Sequence, residues 1–88
     1  MPYLVILEEE PRKVFLELDK TLKEQIAKKL KQLERDDLQS RHFKHGVPVF
    51  VEEVSQYRIV FKKIEEGKQK RVVFIGDHKE YEKWYRTS

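Results

Sequence analysis

The chain has 88 residues, enough for one small domain with a single hydrophobic core. Charged residues make up 40% of the chain, but its apolar residues recur in periodic blocks, as they do in folded proteins. The absence of cysteine excludes a disulfide framework and thiolate metal ligands. We find neither a signal peptide nor the run of ~20 apolar residues that a membrane helix needs, so we expect a single-domain, soluble, cytoplasmic protein without a membrane partner.

Positive charge is concentrated in the second half of the chain. Residues 41–88 hold 11 Lys and Arg against 7 Asp and Glu, whereas residues 1–40 hold 8 against 9. All three histidines also lie in the second half. This asymmetry is compatible with a polyanionic partner such as nucleic acid, although an ordinary solvated surface of Lys and Glu would look the same.

The first part of the chain predicts a strand followed by two helices. The apolar run Tyr3–Leu7 is typical of a buried central strand. Pro11 suits the first position of a helix, where its missing N–H costs no hydrogen bond. The T-x-x-E pattern from Thr21 to Glu24 predicts a capping box that starts a second helix, which we expect to run to about Asp36. The apolar positions with helical spacing are Val14, Phe15 and Leu18 in the first helix, and Leu22, Ile26, Leu30 and Leu33 in the second.

The remainder predicts a loop, three strands joined by tight turns and a closing helix. The loop is residues 37–46, and the strands are Val47–Val54, Tyr57–Ile64 and Gln69–Ile75. A D-x-x-E capping pattern starts the last helix at Asp77, and the helix reaches roughly to Arg86. The resulting order is β-α-α-β-β-β-α. Because hairpins join neighbouring strands, we predict an α+β fold in which helices cover one face of an antiparallel sheet.

Alternation along the strand Tyr57–Ile64 places Arg58 on one face together with Val60 and Lys62. The opposite face then carries Tyr57, Ile59 and Phe61. A guanidinium in the middle of a strand either binds a ligand such as a phosphate or covers the sheet with its apolar stem. Arg58 is therefore a candidate phosphate-binding residue.

His78 falls in the first turn of the last helix, and an imidazole there is a candidate acid–base group because histidine titrates near neutral pH. Tyr81 and Tyr85 lie three and seven residues further along, on the same helical face, with Trp84 beside them. Aromatic rings of this kind either stack on bases or dock the helix on the sheet. We expect Trp84 to belong to the core and one of the two tyrosines to face solvent.

Other kinds of chemistry are poorly supported by the sequence. His42 and His45 are three residues apart, but no carboxylate lies near them at ligand spacing, so we expect no metal site. The three scattered glycines form no phosphate-binding loop, and none of the serines has the surroundings of a nucleophile. We therefore expect no cofactor.

Two segments of the second half resemble motifs of the RelE/ParE toxin superfamily, the small toxins of toxin–antitoxin pairs. Q-Y-R-I-V-F, residues 56–61, is similar to the family's strand with a Y-R pair. V-V-F-I-G-D-H-K-E-Y, residues 72–81, is similar to its closing segment, in which an Arg or His follows a glycine by two residues. The resemblance covers nearly the whole chain and implies a RelE-like fold.

The RelE-like branch of this superfamily cleaves mRNA in the decoding site of the ribosome, so the resemblance implies endoribonuclease activity here. It implies that Arg58 contacts the phosphate, that His78 is catalytic, and that Tyr81 or Tyr85 acts as a base or stacks on RNA. Trp84 stands at the tyrosine offset used by some members. The resemblance also implies a cognate antitoxin, and ribosome and mRNA as further partners. The basic residues that we expect to bind RNA phosphates are Lys44, Lys62, Arg71 and Lys79.

The chain departs from the family at two places. Val49 and Val51 stand where some members have alternating lysines, and Arg41 and His42 replace a carboxylate that another subgroup uses. Both departures make the phosphate site less charged than in the most active members. The alternative is therefore a non-catalytic, ParE-like member that inhibits gyrase or binds RNA or protein.

Overall fold

The computed structural model describes residues 3–35, 41–42 and 49–87, with residues 41 and 42 described by their backbone alone. The elements in chain order are β1 (Leu4–Leu7), α1 (Glu9–Glu17), α2 (Lys20–Gln32), β2 (Arg41–His42), β3 (Val49–Val54), β4 (Tyr57–Ile64), β5 (Gln69–Asp77) and α3 (His78–Thr87). The predicted order is confirmed, with one addition. The two-residue strand β2 lies within the segment predicted as a loop, whose remaining residues are outside the described ranges.

The five strands form one sheet in the order β1-β5-β4-β3-β2. The pairs β3–β4 and β4–β5 are antiparallel, as the hairpin connections predict, and the unpredicted pair β2–β3 is antiparallel as well. β1 instead pairs in parallel with β5, so the sheet is mixed and the prediction of a wholly antiparallel sheet was wrong in this respect. A tight turn fixes the orientation of chain neighbours only. β1 and β5 are separated by most of the chain, so no turn constrains how they pair.

The hydrophobic core lies between α2 and the inner face of the sheet. Three of the four residues in the stripe predicted for α2 are buried, since Ile26, Leu30 and the C-cap residue Leu33 are at most 9% exposed, and Leu22 is partly buried against the same core. Burial of each such side chain stabilises the fold by about 1.5–3 kcal/mol. The sheet residues in this core are Val54, Ile59, Phe61, Val72 and Ile75.

Both helices of the pair begin closer to the N-terminus than predicted. α1 begins at Glu9, so Pro11 lies within the first turn, where it still costs no hydrogen bond. α2 begins at Lys20, because the Leu22 N–H donates to Asp19 Oδ1 at 2.9 Å. Asp19 is thus the N-cap, and the capping box predicted at Thr21 was placed two residues too late. In the described part of the chain, no helix combines the length and the apolarity that crossing a membrane requires.

A polar cluster ties the start of β1 to the turn between β4 and β5. The Tyr3 hydroxyl donates to Glu65 at 3.1 Å, and the amino groups of Lys63 and Lys68 lie 3.5 and 3.4 Å from the same carboxylate. The hydrogen bond from Tyr3, aided by the two lysines, lowers the pKa of Glu65 below its ordinary value. This stabilisation is present at neutral pH and is lost as the pH falls through that lowered pKa.

Candidate functional site

The register of β3, β4 and β5 fixes which side chains share the face of the sheet that points away from α2. Residues opposite one another in neighbouring strands point to the same face, and alternate residues along a strand do so as well. We call this surface the Arg58 face. Its three rows across β3, β4 and β5 are Glu53–Arg58–Gly76, Val51–Val60–Phe74 and Val49–Lys62–Arg71.

Arg58 occupies the centre of the first row. Its Nη2 lies 3.8 Å from Glu53 Oε1, and its Nη1 donates to the carbonyl oxygen of Tyr57 at 3.4 Å. The Arg58 side chain is 23% exposed, so much of its stem is covered. The Glu53 side chain is more accessible, at 49%. Opposite charges that face each other across two strands attract by about 0.2–1 kcal/mol. Arg58 is therefore positioned by the sheet and by one carboxylate neighbour.

Phe74 connects the Arg58 face to α3. The Phe74 and Trp84 rings stack with their centroids 4.8 Å apart, so Trp84 docks α3 on the sheet, although it stays partly exposed. The Phe74 ring also lies across Gly76, because a Cβ built on Gly76 would approach Phe74 Cζ to 2.6 Å. Glycine is required at position 76 for this close approach.

Replacing Gly76 with alanine should lower the free energy of unfolding by about 1–3 kcal/mol, because Phe74 has to leave its position on β5. Chemical denaturation followed by the fluorescence of Trp84, the single tryptophan, measures this effect. Gly67→Ala is the matched control, since no atom lies within 4 Å of a Cβ there and its positive φ of 86° is the remaining source of strain. An unchanged denaturation midpoint in Gly76→Ala would contradict the close packing.

The start of α3 has the capping box predicted from its D-x-x-E pattern. The Glu80 N–H donates to Asp77 Oδ1 at 2.8 Å, and the Asp77 N–H donates to Glu80 Oε1 at 3.0 Å. His78 is the first residue of α3 and is exposed. Arg58 on β4 pairs with Gly76 on β5, and His78 follows Gly76 by two residues. The structure thus brings the backbones of these two predicted residues to one end of the Arg58 face.

The tyrosines of α3 differ in their surroundings. Tyr81 is half-buried, with its ring centroid 6.3 Å from that of Phe74 and 6.4 Å from that of Trp84. Tyr85 is 42% exposed and its ring lies 6.0 Å from Tyr81. Tyr85 is therefore the more accessible of the two predicted residues.

Tyr57 is a third tyrosine at this end of the sheet, but it lies on the other face. Its partner in the register is Asp77. Burial, together with the charges of Glu80, Asp77 and Asp19, raises the pKa of Tyr57. Its hydroxyl is therefore protonated at neutral pH and unsuited to act as a base there.

The predicted RNA-binding basic residues that the structure describes are spread over three elements, β4, β5 and α3. Lys62 is exposed and lies opposite Arg71, whose Nε is 3.4 Å from Glu8 Oε2. A phosphate at Arg71 would have to compete with that carboxylate. Lys79 is exposed in the first turn of α3. Lys44 lies outside the described residues.

Metal binding receives no support from the residues that are described. Their His, Asp and Glu side chains form no group of three that could hold a metal ion. Of the two histidines weighed for a metal site, His45 lies outside the described residues, and His42 is described by its backbone alone.

Glu53 is the residue that sequence reasoning missed at this site. The sequence does contain a signal for this pairing. A two-residue turn at Ser55 and Gln56 pairs Val54 with Tyr57, and the next pair along the two strands is then Glu53 with Arg58. Alternation then places both side chains on one face. Phe74 was also missed, and no local pattern indicates that its ring covers Gly76.

Comparison with solved structures identifies the architecture. A variant of the E. coli toxin RelE in the free state, with two arginines changed to alanine, is similar over 96% of this chain and 92% of that chain, with a TM-score of 0.78 and 24% identity. The fold is that of the RelE toxins. The toxin–antitoxin complex RelBE2 from Mycobacterium tuberculosis matches over 89% of this chain and 100% of that chain, with a TM-score of 0.76 and 15% identity.

An archaeal RelE–RelB complex from Pyrococcus horikoshii has the RelE fold in common with this chain as well. The match covers 88% of this chain and 96% of that chain, with a TM-score of 0.71 and 14% identity. No protein-family model and no curated protein matches the sequence. The likeness is therefore one of three-dimensional structure, and it extends over nearly the whole chain.

Proposed function

We propose that this protein is the toxin of a toxin–antitoxin pair and cleaves mRNA on the ribosome, in the cytoplasm. The observation that carries the proposal is the RelE fold over nearly the full chain, with toxin structures of matching length among its neighbours. The placement of Arg58 beside Gly76, two residues before His78, supports the nuclease part of the proposal.

The proposed chemistry is attack of a ribose 2′-hydroxyl on the adjacent phosphate. Arg58 stabilises the negative charge that develops on the phosphorane, because a guanidinium offers two parallel donors to phosphate oxygens. His78, when protonated, gives a proton to the departing 5′-oxygen. Tyr85, exposed on α3, stacks on a base next to the scissile bond, and the half-buried Tyr81 supports it.

A cognate antitoxin is part of the same proposal. The neighbours include RelE toxins solved in complex with RelB antitoxins. We expect an extended antitoxin segment to cover the basic face and the helical pair α1 and α2. A short reading frame next to the gene, encoding an acidic or DNA-binding protein, would supply this partner. Co-expression of its product should abolish toxicity.

Induced expression in growing cells tests the proposal directly. The wild-type protein should arrest growth, and mapping of mRNA 5′ ends on isolated ribosomes should reveal new ends within codons. The same mapping on mRNA free of ribosomes distinguishes ribosome dependence from general nuclease activity. Growth equal to that of an empty-vector strain, with no new mRNA ends, would exclude the proposed activity.

A second candidate function is inhibition without catalysis, as in ParE-like proteins. Val49 and Val51 lie on the Arg58 face, and Glu53 partly offsets the charge of Arg58, so this face is less positive than it would be with lysines at positions 49 and 51. A DNA-gyrase supercoiling assay decides between the two candidates. Inhibition of supercoiling by the purified protein, together with intact mRNA in arrested cells, would favour the second one.

A further inference from the structure

A groove opens at the edge of the sheet where β1 ends and β5 continues. β1 pairs with Gln69–Val72 only, whereas β5 extends to Asp77. The Glu8 N–H still donates to the Val72 carbonyl oxygen at 3.0 Å, but the chain then turns into α1 at Glu9. Among the described strands, none lies beside the last part of β5 on this edge. The groove therefore runs along β5, with α1 as one wall and α3 as the other.

This α1–α3 groove is apolar at its base and carries two carboxylates. Pro11 of α1, Phe74 of β5 and Trp84 of α3 belong to its apolar lining, and its ionisable lining residues are Glu10 of α1 and Glu80 of α3. No lysine, arginine or histidine is among the described residues that line it. Its volume is about 330 Å³, near the lower end of the range for ligand pockets, so the groove suits one side chain of a partner better than a large ligand.

Both carboxylates are accessible to a partner. Glu10 is exposed in the first turn of α1, and no other described residue forms an ion pair with it. Glu80 is also exposed, and its Oε1 accepts the N–H of Asp77 at 3.0 Å. Within the described chain, no donor bonds to its second oxygen, and a carboxylate can accept several hydrogen bonds. The groove thus offers acceptors and negative charge to a cationic group.

The walls of the groove are held in place before any partner binds. The Trp84 ring stacks on Phe74 with centroids 4.8 Å apart, and it remains partly exposed. The capping box fixes the backbone of Glu80, since its N–H donates to Asp77 Oδ1 at 2.8 Å. A preformed site loses little conformational entropy on binding, so even a single side chain can be held there.

We propose that the α1–α3 groove is a docking site for a protein partner and that it binds one arginine side chain of that partner. A guanidinium is planar, contacts aromatic rings favourably and donates two parallel hydrogen bonds to a carboxylate. The ammonium of lysine is more strongly hydrated and makes neither the planar contact nor the paired hydrogen bonds. RNA is a poor occupant, because its phosphates would meet Glu10 and Glu80. The inference goes beyond the proposed mRNA cleavage and does not depend on it.

An NMR titration of the isotope-labelled full chain tests the site. The probe is acetyl-glycyl-arginyl-glycinamide, and the matched control peptide carries citrulline, which keeps the shape of arginine without its charge. The arginine peptide should shift the backbone amides of Val73, Phe74 and Ile75 and the indole N–H of Trp84, all of which belong to the groove lining, in a saturable manner. The citrulline peptide should bind at least ~3–5-fold more weakly, because it forms no ion pair.

Two variants of the protein test the role of the carboxylates. Glu10→Gln and Glu80→Gln should each weaken binding of the arginine peptide by about 3–5-fold, the effect of losing a partly exposed ion pair. Glu80→Gln keeps the start of α3, because glutamine also accepts the backbone N–H in a capping box. Glu17→Gln is the matched control, since Glu17 is an exposed glutamate of α1 outside the groove and its change alters the net charge equally.

Several outcomes would overturn the inference. Equal binding of the arginine and citrulline peptides, or no shift of the groove amides with either, would show that the groove does not select a cation. Equal weakening by Glu17→Gln and Glu10→Gln would assign the effect to net charge instead of to the groove. A single-stranded RNA oligonucleotide that shifts the groove amides more than the arginine peptide does at equal concentration would identify RNA as the occupant. The expression experiment tests mRNA cleavage separately, so a failure here would leave the proposed function standing.

Discussion

Replacing Arg58 with alanine is expected to lower the rate of mRNA cleavage on ribosomes by about 10²–10³-fold, the usual effect of removing one preorganised donor to a transition-state oxyanion. Arg58 lies between Glu53 and Gly76 in the first row of the Arg58 face. The hydrogen-bonded strands on both sides fix the position of its backbone. Single-turnover cleavage measures the effect, and toxicity in growing cells should disappear with it.

The fold should tolerate the loss of Arg58. Its pair with Glu53 is partly exposed and 3.8 Å long, and such pairs contribute about 0–1 kcal/mol to the free energy of unfolding. Arg12→Ala on α1 is the matched control, because Arg12 is an exposed arginine that is not part of the row. Full activity of a folded Arg58→Ala protein would show that the phosphate binds elsewhere on the molecule.

Replacing His78 with alanine is expected to slow cleavage by about 10²–10⁴-fold, the range that a positioned general acid contributes. His78 is exposed, and the capping box of α3 uses the side chains of Asp77 and Glu80 only. The variant should therefore unfold at the same denaturant concentration as the wild type. The measurement is the rate of mRNA cleavage on ribosomes by the wild type and by His78→Ala, taken at several pH values around neutral.

His78→Arg provides the informative comparison. An arginine keeps a positive charge near the departing oxygen, but it holds its proton too firmly to release it at neutral pH. Activity between those of wild type and His78→Ala would indicate that charge supplies part of the effect and proton transfer the rest. Equal activity of wild type and His78→Ala would remove His78 from the mechanism.

Much of this site could be predicted because it depends on residues that are close in the chain. The alternation in β4 correctly separated Arg58 from the core residue Ile59. The D-x-x-E pattern correctly located the start of α3 and hence the exposed position of His78. The likeness to RelE toxin structures confirms the fold implied by the two motifs.

Other features could not be predicted, because they depend on contacts between distant parts of the chain. The Arg71 guanidinium, predicted to bind RNA, lies 3.4 Å from Glu8, which is 63 residues away.

The sequence by itself determined the elements other than β2, the face on which Arg58 lies and the pattern that places His78 at a helix start, because these follow from periodicity and from capping within a few residues. Tertiary structure alone decided that β1 pairs in parallel with β5 and that Phe74 lies across Gly76 beneath Trp84. The first feature joins segments that most of the chain separates, and the second depends on the docking of α3 on the sheet, so no local pattern specifies either of them. The row Glu53–Arg58–Gly76 combines the two: a local turn pairs Glu53 with Arg58, whereas the pairing of Arg58 with Gly76 depends also on the register shift in the ladder between β4 and β5 at Val60 and Phe61.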